Sequence, residues 1–222
     1  MYRQLQISEL FDLEHTIAKE LFEGKTYPWE ALSELSEFIK KIGPTLPKEE
    51  YDQIGDDVWV AKSANIFPSA HLGGPLIIGK NTEIRQCAFI RGCAIVGDNC
   101  VVGNSTELKG SILFDNVQAP HYNYVGDSII GYKSHTGAGV ITSNLKSDKS
   151  IVYISFNGDK VNTERKKLGA IIGDNVEVGC NSVLNPGTVI GRGTNVYPLS
   201  MVRGYVAPNS IYKRAGEIAE KY

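Results

Sequence analysis

The chain lacks several features that would assign it early. Its four cysteines (Cys87, Cys93, Cys100 and Cys180) form no CxxC pair, so neither a zinc ribbon nor a disulfide framework is indicated, and no structural metal is expected. A reducing, cytoplasmic setting follows as the expectation. There is no basic excess: 23 Lys+Arg face 25 Asp+Glu, a formal net charge of −2, which argues against a nucleic-acid partner. No stretch approaches the roughly 20 unbroken apolar residues of a membrane helix, so no membrane partner is expected either. The opening residues, Met1 to Gln6, hold no apolar signal-peptide core. Methionine is scarce at 2 of 222 residues, whereas glycine reaches 23 and recurs at regular intervals.

That regularity is a repeat. Stepping by six from Ile54 lands on Val60, Ile66, Leu72, Ile78, Ile84, Ile90, Val96, Val102, Leu108, Phe114 and Pro120, all apolar. The frame resumes at Ile172 and runs through Val178, Leu184, Ile190, Val196 and Val202 to Pro208. A period of six fits neither a helix face nor simple strand alternation. It fits short extended segments joined by corners, with one branched side chain per segment pointing inward. Three segments make a triangular coil of about eighteen residues, and coils stack at the ~4.8 Å sheet spacing. The expected fold is mainly β: a parallel β-helix of hexapeptide repeats, about seven coils over residues 51–212.

The flanks read differently. Over residues 1–50, Leu10, Leu13, Ile17 and Leu21 share a helical face between Ser8 and Gly24, and a second stripe runs from Leu32 to Ile42 after Pro28. These predict a two-helix cap over the open end of the solenoid. Residues 213–222 predict a short C-terminal helix. Within the repeat the frame slips at Pro120, with Val125 and Ile130 as the next inward residues. An insertion over 146–169 then reads as a β-hairpin around Asn157-Gly158, a type I′ signal. Breaks in a repeat often mark its binding face.

Arg91 and Lys109 stand one coil apart, which stacks two cations about 5 Å from each other. They repel by about 1 kcal/mol even in water. Either an anion such as phosphate bridges them, or they splay into solvent and meet acids such as Glu107.

Asn104-Ser105-Thr106-Glu107-Leu108-Lys109, His121-Tyr122-Asn123-Tyr124-Val125-Gly126-Asp127-Ser128, and Gly137-Ala138-Gly139-Val140-Ile141 with Asn144 closely resemble the C-terminal acetyltransferase domain of GlmU-type enzymes. The run from Asp159 to Asp174 resembles the archaeal branch of that sugar-phosphate nucleotidyltransferase family. The resemblance implies left-handed coiling, a homotrimer with sites between subunits, and acetyl transfer from acetyl-CoA to the amine of an amino-sugar 1-phosphate, glucosamine-1-phosphate or galactosamine-1-phosphate. Carried over by motif, His121 is the general base, Arg91 and Lys109 hold phosphate, and Tyr124 and Asn144 hold the sugar. His135 stands on the substrate side where the family has Asn. Ala138, Cys180 and Lys213 line the acetyl-CoA path, and Lys146 or Lys149 matches a family lysine. No Gly-rich nucleotide loop precedes the repeats, so uridylyl transfer is not expected.

Two other readings remain open. One is a non-catalytic β-helix module serving oligomerisation or sugar-nucleotide binding. The other is a zinc carbonic anhydrase, which needs three converging histidines; His15, His71, His121 and His135 lack a coil-related spacing.

Overall fold

Each hexad folds into a strand of two to four residues and a corner, and successive hexads turn onto three faces. The computed structural model describes residues 2–221. One coil shows the path: Ala94–Val96 lies on the first face (sheet A), Val101–Asn104 on the second (sheet B) and Glu107–Lys109 on the third (sheet C). Sheet C has seven strands, so seven coils are complete; Tyr205–Val206 and Ser210–Arg214 begin an eighth on sheets A and B. Coil-to-coil pairing is parallel throughout, as in Leu76–Ile78 against Ala94–Val96. The fold is a left-handed parallel β-helix.

One inward column per face forms the core. Ile84, Ile90, Val96, Val102 and Leu108 are all fully buried, as the six-residue frame requires. Past Leu108 the inward residues differ from that frame. Val96 pairs with Leu113, Val102 with Ala119, and Leu108 with Val125, so this coil takes 17 residues and not 18. The five-residue steps are Leu108 to Leu113 and Val125 to Ile130, both at the corner from sheet C to sheet A. Phe114 and Pro120 are therefore not inward. At the far end Ile190 pairs with Val206, so Pro208 is not inward either, and Ile54 lies exposed on a capping strand.

Sheet A is buried on both faces, and this explains the N-terminal segment. The outward column Trp59, Ile77, Ile95, Ile112, Ile129, Ile171 and Val189 is in register from coil to coil and almost wholly buried. Residues 2–50 run over that flank as a strap. They do not sit on the end of the solenoid, which is covered instead by Tyr51–Gly55 paired antiparallel to Val58–Ala61. Phe114 inserts between Phe11 and Phe22, with ring centroids 5.0 and 6.0 Å away, His15 stacks on Tyr132, and Trp59 lies against Gly43.

The first expected helix is broken into Ile7–Leu10 and short 3-10 turns at Leu13–His15 and Lys19–Phe22. The cause is tertiary. Leu10 O accepts from Asp174 N–H (3.1 Å), His15 O accepts from Asp115 N–H (3.0 Å), and Asp12 N–H donates to Asp174 Oδ2 (2.7 Å). Backbone groups spent on the solenoid corner cannot serve an i to i−4 ladder. The second stripe does form a helix, Leu35–Ile42, burying Leu35, Phe38 and Ile39, with Lys40 and Lys41 favourably placed in its last turn.

The insertion is the expected hairpin: Tyr153–Phe156 pairs with Asp159–Asn162 across Asn157 and Gly158, both at positive φ (48° and 92°). Its inner side chains Ile154, Phe156 and Val161 are buried, and Phe156 packs on Tyr205. The expected C-terminal helix is absent: Ser210–Arg214 and Glu217–Glu220 form an antiparallel hairpin that closes the sheet B edge. An exposed edge is a template for unwanted pairing. Tyr222, the last residue of that expected helix, lies outside the described residues.

If Phe114 pins the strap, Phe114→Ala costs about 3–5 kcal/mol in urea unfolding and exposes residues 11–50 to limited proteolysis before the coils are cut. A loss within the range of surface substitutions would show that the strap is held elsewhere.

Candidate functional site

The chemistry-bearing residues collect at the two corners that flank sheet C. On the corner leading to sheet A, Arg91 and Lys109 do stack one coil apart, as Leu108 pairs with Ile90 and Arg91 N–H donates to Leu108 O (3.1 Å). Each cation already has a carboxylate. Arg91 Nη1 donates to Glu107 Oε1 at 3.1 Å, and Lys109 Nζ bridges both oxygens of Asp127 at 2.7 and 2.9 Å. The acid Glu107, not an open cationic column, meets Arg91. Asp127 is 8% exposed at its side chain and also accepts from Asn144 Nδ2 at 2.5 Å. Asn144 Nδ2 reaches Tyr124 Oη at 3.2 Å.

Local backbone sets this cluster. Asp127 occupies the left-handed region (φ 46°), in the corner column where the coil below has Gly110. Tyr124 can lie along the strand only because Gly126 has no side chain; a Cβ there would come within 2.5 Å of Tyr124 Oη. Burial, with Glu107 and Asp127 adding to it, raises the Tyr124 phenol above its ordinary value, so it stays a neutral hydrogen-bonding group. Beyond Asn144 the same corner opens under the hairpin into a cavity of about 480 Å³ lined by Ser143, Lys146, Lys160, Asn185 and Arg203 among others. Lys146 there bonds Ser150 Oγ at 2.6 Å and stands 3.5 Å from Asp148, while Lys149 is exposed.

The opposite corner, from sheet B to sheet C, carries a second column. His121 ends the strand Gln118–His121 and is exposed, and its ring makes no hydrogen bond among the described residues. Its carbonyl accepts from Gly139 N–H (3.0 Å); Ala138 O accepts from Asn181 N–H, and Cys180 O from Leu199 N–H. His121, Ala138 and Cys180 thus climb one corner in three successive coils. Lys213 follows Tyr212 in the strand Ser210–Arg214 of sheet B, 3.7 Å from Glu217. The corner is braced by Asn123, 3% exposed, whose Oδ1 accepts from His121 N–H (3.2 Å) and whose Nδ2 donates to Gly137 O (2.7 Å).

His135 joins neither corner. It points outward from sheet B and pairs through Nδ1 with Glu177 Oε2 at 2.9 Å. The two corners stand apart within one chain, separated by the strand Tyr124–Gly126, about 10 Å of extended backbone. Asp127 and Asn123 were given no role by sequence reasoning. Spacing alone does not single out Asp127: this coil takes 17 residues, so Lys109 stands opposite Gly126 in the ladder, and Asp127 reaches its ammonium from the next position.

The family model and the curated relatives agree with this architecture. The family model described as bacterial transferase hexapeptide (six repeats) matches residues 169–204. The chain is 37% identical over 191 residues to the bifunctional protein GlmU of Methanococcus maripaludis strain C5, covering 85% of this chain and 46% of that protein. It is 36% identical over 112 residues to a bifunctional sugar-1-phosphate nucleotidylyltransferase/acetyltransferase of Sulfurisphaera tokodaii, covering 50% of this chain and 28% of the other. Among solved structures, the acetyltransferase domain of PglB from Neisseria gonorrhoeae with acetyl coenzyme A matches at 15% identity and a TM-score of 0.37, over 70% of this chain and 53% of that one. The chain spans about half the length of the curated GlmU proteins that it matches over most of its own length. It is a hexapeptide-repeat β-helix protein whose coils are of the kind carried by GlmU-type bifunctional proteins.

Proposed function

We propose that the protein is an acetyl-CoA-dependent N-acetyltransferase acting on an amino-sugar 1-phosphate, glucosamine-1-phosphate or galactosamine-1-phosphate, in a homotrimer. One observation carries the reading. An exposed histidine whose ring makes no hydrogen bond among the described residues shares a corner column with Ala138 and Cys180, while the other edge of the same sheet holds the bonded group Lys109–Asp127–Asn144–Tyr124. Sheet C between them presents exposed apolar side chains, Phe89, Val183 and Met201. A threefold assembly with sheet C facing inward covers these and brings the His121 corner of one protomer against the Lys109 corner of the next.

At such a junction the sugar phosphate exchanges with Glu107 and Asp127 for Arg91 and Lys109. Arg suits phosphate through its planar fork, and Lys supplies a compact charge. Asp127, Asn144 and Tyr124 then offer acceptors and donors to sugar hydroxyls. The substrate ammonium gives up one proton to water, and His121 takes the second from the amine as it attacks, the role of a general base. The amine lone pair forms the C–N bond at the thioester carbonyl, a polar group holds the oxyanion, and the C–S bond breaks. The departing CoA thiolate recovers the proton from His121. Acetyl-CoA lies along Ala138 and Cys180 toward Lys213.

The pairing of both corner cations with carboxylates favours a second reading, a non-catalytic module in which Arg91 and Lys109 serve the coils. The assay separates the two. Thiol release from acetyl-CoA is expected with one of the two amino-sugar phosphates; His121→Ala lowers kcat by about 10²–10⁴-fold, and Lys109→Ala acts mainly on KM. No release with any acceptor, or full activity in His121→Ala, removes the catalytic assignment.

The cofactor path has its own test. Burial pushes the Cys93 thiol up to about 11, and burial also raises Cys100, whereas Cys87 and Cys180 are exposed. Iodoacetamide at pH 8 is expected to label Cys87 and Cys180 alone, because the thiolate is the nucleophile. Acetyl-CoA is expected to slow labelling of Cys180 and leave Cys87 unchanged. Equal rates at Cys180 with and without acetyl-CoA would move the cofactor off this corner.

A further inference from the structure

The strap leaves a cavity of about 680 Å³ against the corner between sheets A and B, bounded by Ile7, Phe11, Leu13 and Phe22 on its apolar side and by Arg192 and Thr26 on its polar side. Arg192 is unusual there. Its guanidinium makes no hydrogen bond among the described residues, and Nε is the one buried side-chain nitrogen or oxygen among them without a partner. Its nearest acid, Asp174 Oδ2, is 3.4 Å from Nη2. Asp174 is already committed, accepting backbone N–H bonds from Asp12 (2.7 Å) and Tyr132 (2.9 Å). Leaving a buried donor unmade is costly, the more so for a charged group. The nearby Lys25 differs, since its ammonium bonds Glu34 at 2.9 Å.

We propose that this cavity is a binding site for a small organic monocarboxylate with an apolar body. The carboxylate takes the unspent fork of Arg192, and the body lies on Phe11, Phe22 and Leu13. A guanidinium offers two parallel N–H donors to a carboxylate, here from its two Nη groups, the Nε being enclosed by protein. Charge favours a monoanion: Asp12 lines the same cavity, Asp174 adjoins Arg192, and Lys25, which also lines the cavity, is paired with Glu34, so a dianion such as phosphate meets more repulsion than Arg192 relieves. The volume suits a molecule of metabolite size. The site sits on the corner between sheets A and B, on the far side of the coil from sheet C. It is distinct from both corners of the proposed acetyl-transfer site and does not rest on that reading.

Calorimetry with sodium phenylacetate tests it, with phenylethanol as the neutral isostere and inorganic phosphate as the bare anion. Saturable millimolar binding of phenylacetate is expected, at least about tenfold tighter than either comparison compound. Arg192→Gln should abolish it while leaving the thermal midpoint and the coil fold intact, since the side chain is partly exposed. In ¹H–¹⁵N spectra of the unaltered protein, the amides of Ser8, Asp12 and Thr26 should shift with phenylacetate. Absence of saturation would overturn the proposal. So would equal binding of phenylethanol, equal binding of phosphate, binding unchanged in Arg192→Gln, or shifts confined to other amides.

Discussion

A parallel hydrogen-bond ladder on three sides decides which residues of this chain become neighbours. Side chains seventeen or eighteen positions apart share a column at strand spacing, whatever their chemistry. Lys109 meets Asp127 and Asp127 meets Asn144 because the ladder places them so, and it does the same across the insertion for Ala138 and Cys180. No local propensity brings these pairs together. The apolar inward column pins the ladder, and from Ile78 to Leu113 its members are fully buried, so a slip of one residue would turn core side chains into solvent.

Irregularity is confined to one corner. The short steps Leu108 to Leu113, Val125 to Ile130 and Val202 to Val206, and the insertion between Thr142 and Ala170, all fall where sheet C gives way to sheet A. The other two corners keep a strict path and, after the first coil, repeat a left-handed residue at each turn: Asn81, Asn99, Asn116, Lys133, Asn175, Gly193 and Asn209 on one, Cys87, Ser105, Tyr122, Gly139, Asn181 and Leu199 on the other. Asparagine tolerates that conformation and a β-carbon in general resists it, so these two columns are the rigid edges. The freedom of the third corner is where Arg91, Lys109, Asp127, Asn144 and the hairpin are found. A repeat can depart from its period only where its core column is not disturbed, and that is also where it can hold a group of unlike polar residues.

Much of this was legible in the sequence. The six-residue frame, the seven coils, the Asn157-Gly158 hairpin and the stacking of Arg91 on Lys109 follow from spacing alone. The failures have physical causes. Phe114 looks inward by period and by size, yet it is the outer residue that the strap covers. The strap itself was misread as an end cap because its amphipathic stripes show that something apolar lies beneath, not what. The missing clue was in the repeats: every third strand carries an additional apolar residue, Ile77, Ile95, Ile112, Ile129, and such a face must be covered on both sides. The C-terminal residues have a helical composition but end beside an open sheet edge, and pairing with that edge outweighs propensity. Local sequence placed Lys109 with Arg91; it did not show that Asp127 would neutralise Lys109, because that depends on the 17-residue coil between them.

The strap is bound to the coils by more than apolar contact, and the balance at its two anchors shows how. Asp115 and Asp174 sit on one corner, each against backbone N–H groups, and burial raises both carboxyls above the ordinary aspartate value. A raised carboxyl stabilises the fold when protonated, and that contribution is lost as pH rises through its folded pKa. At neutral pH both are therefore held ionised at some expense to stability. What offsets it is donor satisfaction: Asp174 accepts from Asp12 and Tyr132, Asp115 accepts from Asp98, and their own N–H groups donate to Leu10 and His15 of the strap. Removing the Asp174 carboxylate would leave the Asp12 and Tyr132 donors unpaired, and removing that of Asp115 the Asp98 donor, a cost that opposes the desolvation it would relieve. The same corner that carries this anchoring continues one coil further to Arg192, where the ladder of acids gives way to a cation and the strap lifts away from the coils. There the polar groups of the two elements no longer satisfy one another, and the cavity takes the place of the contact.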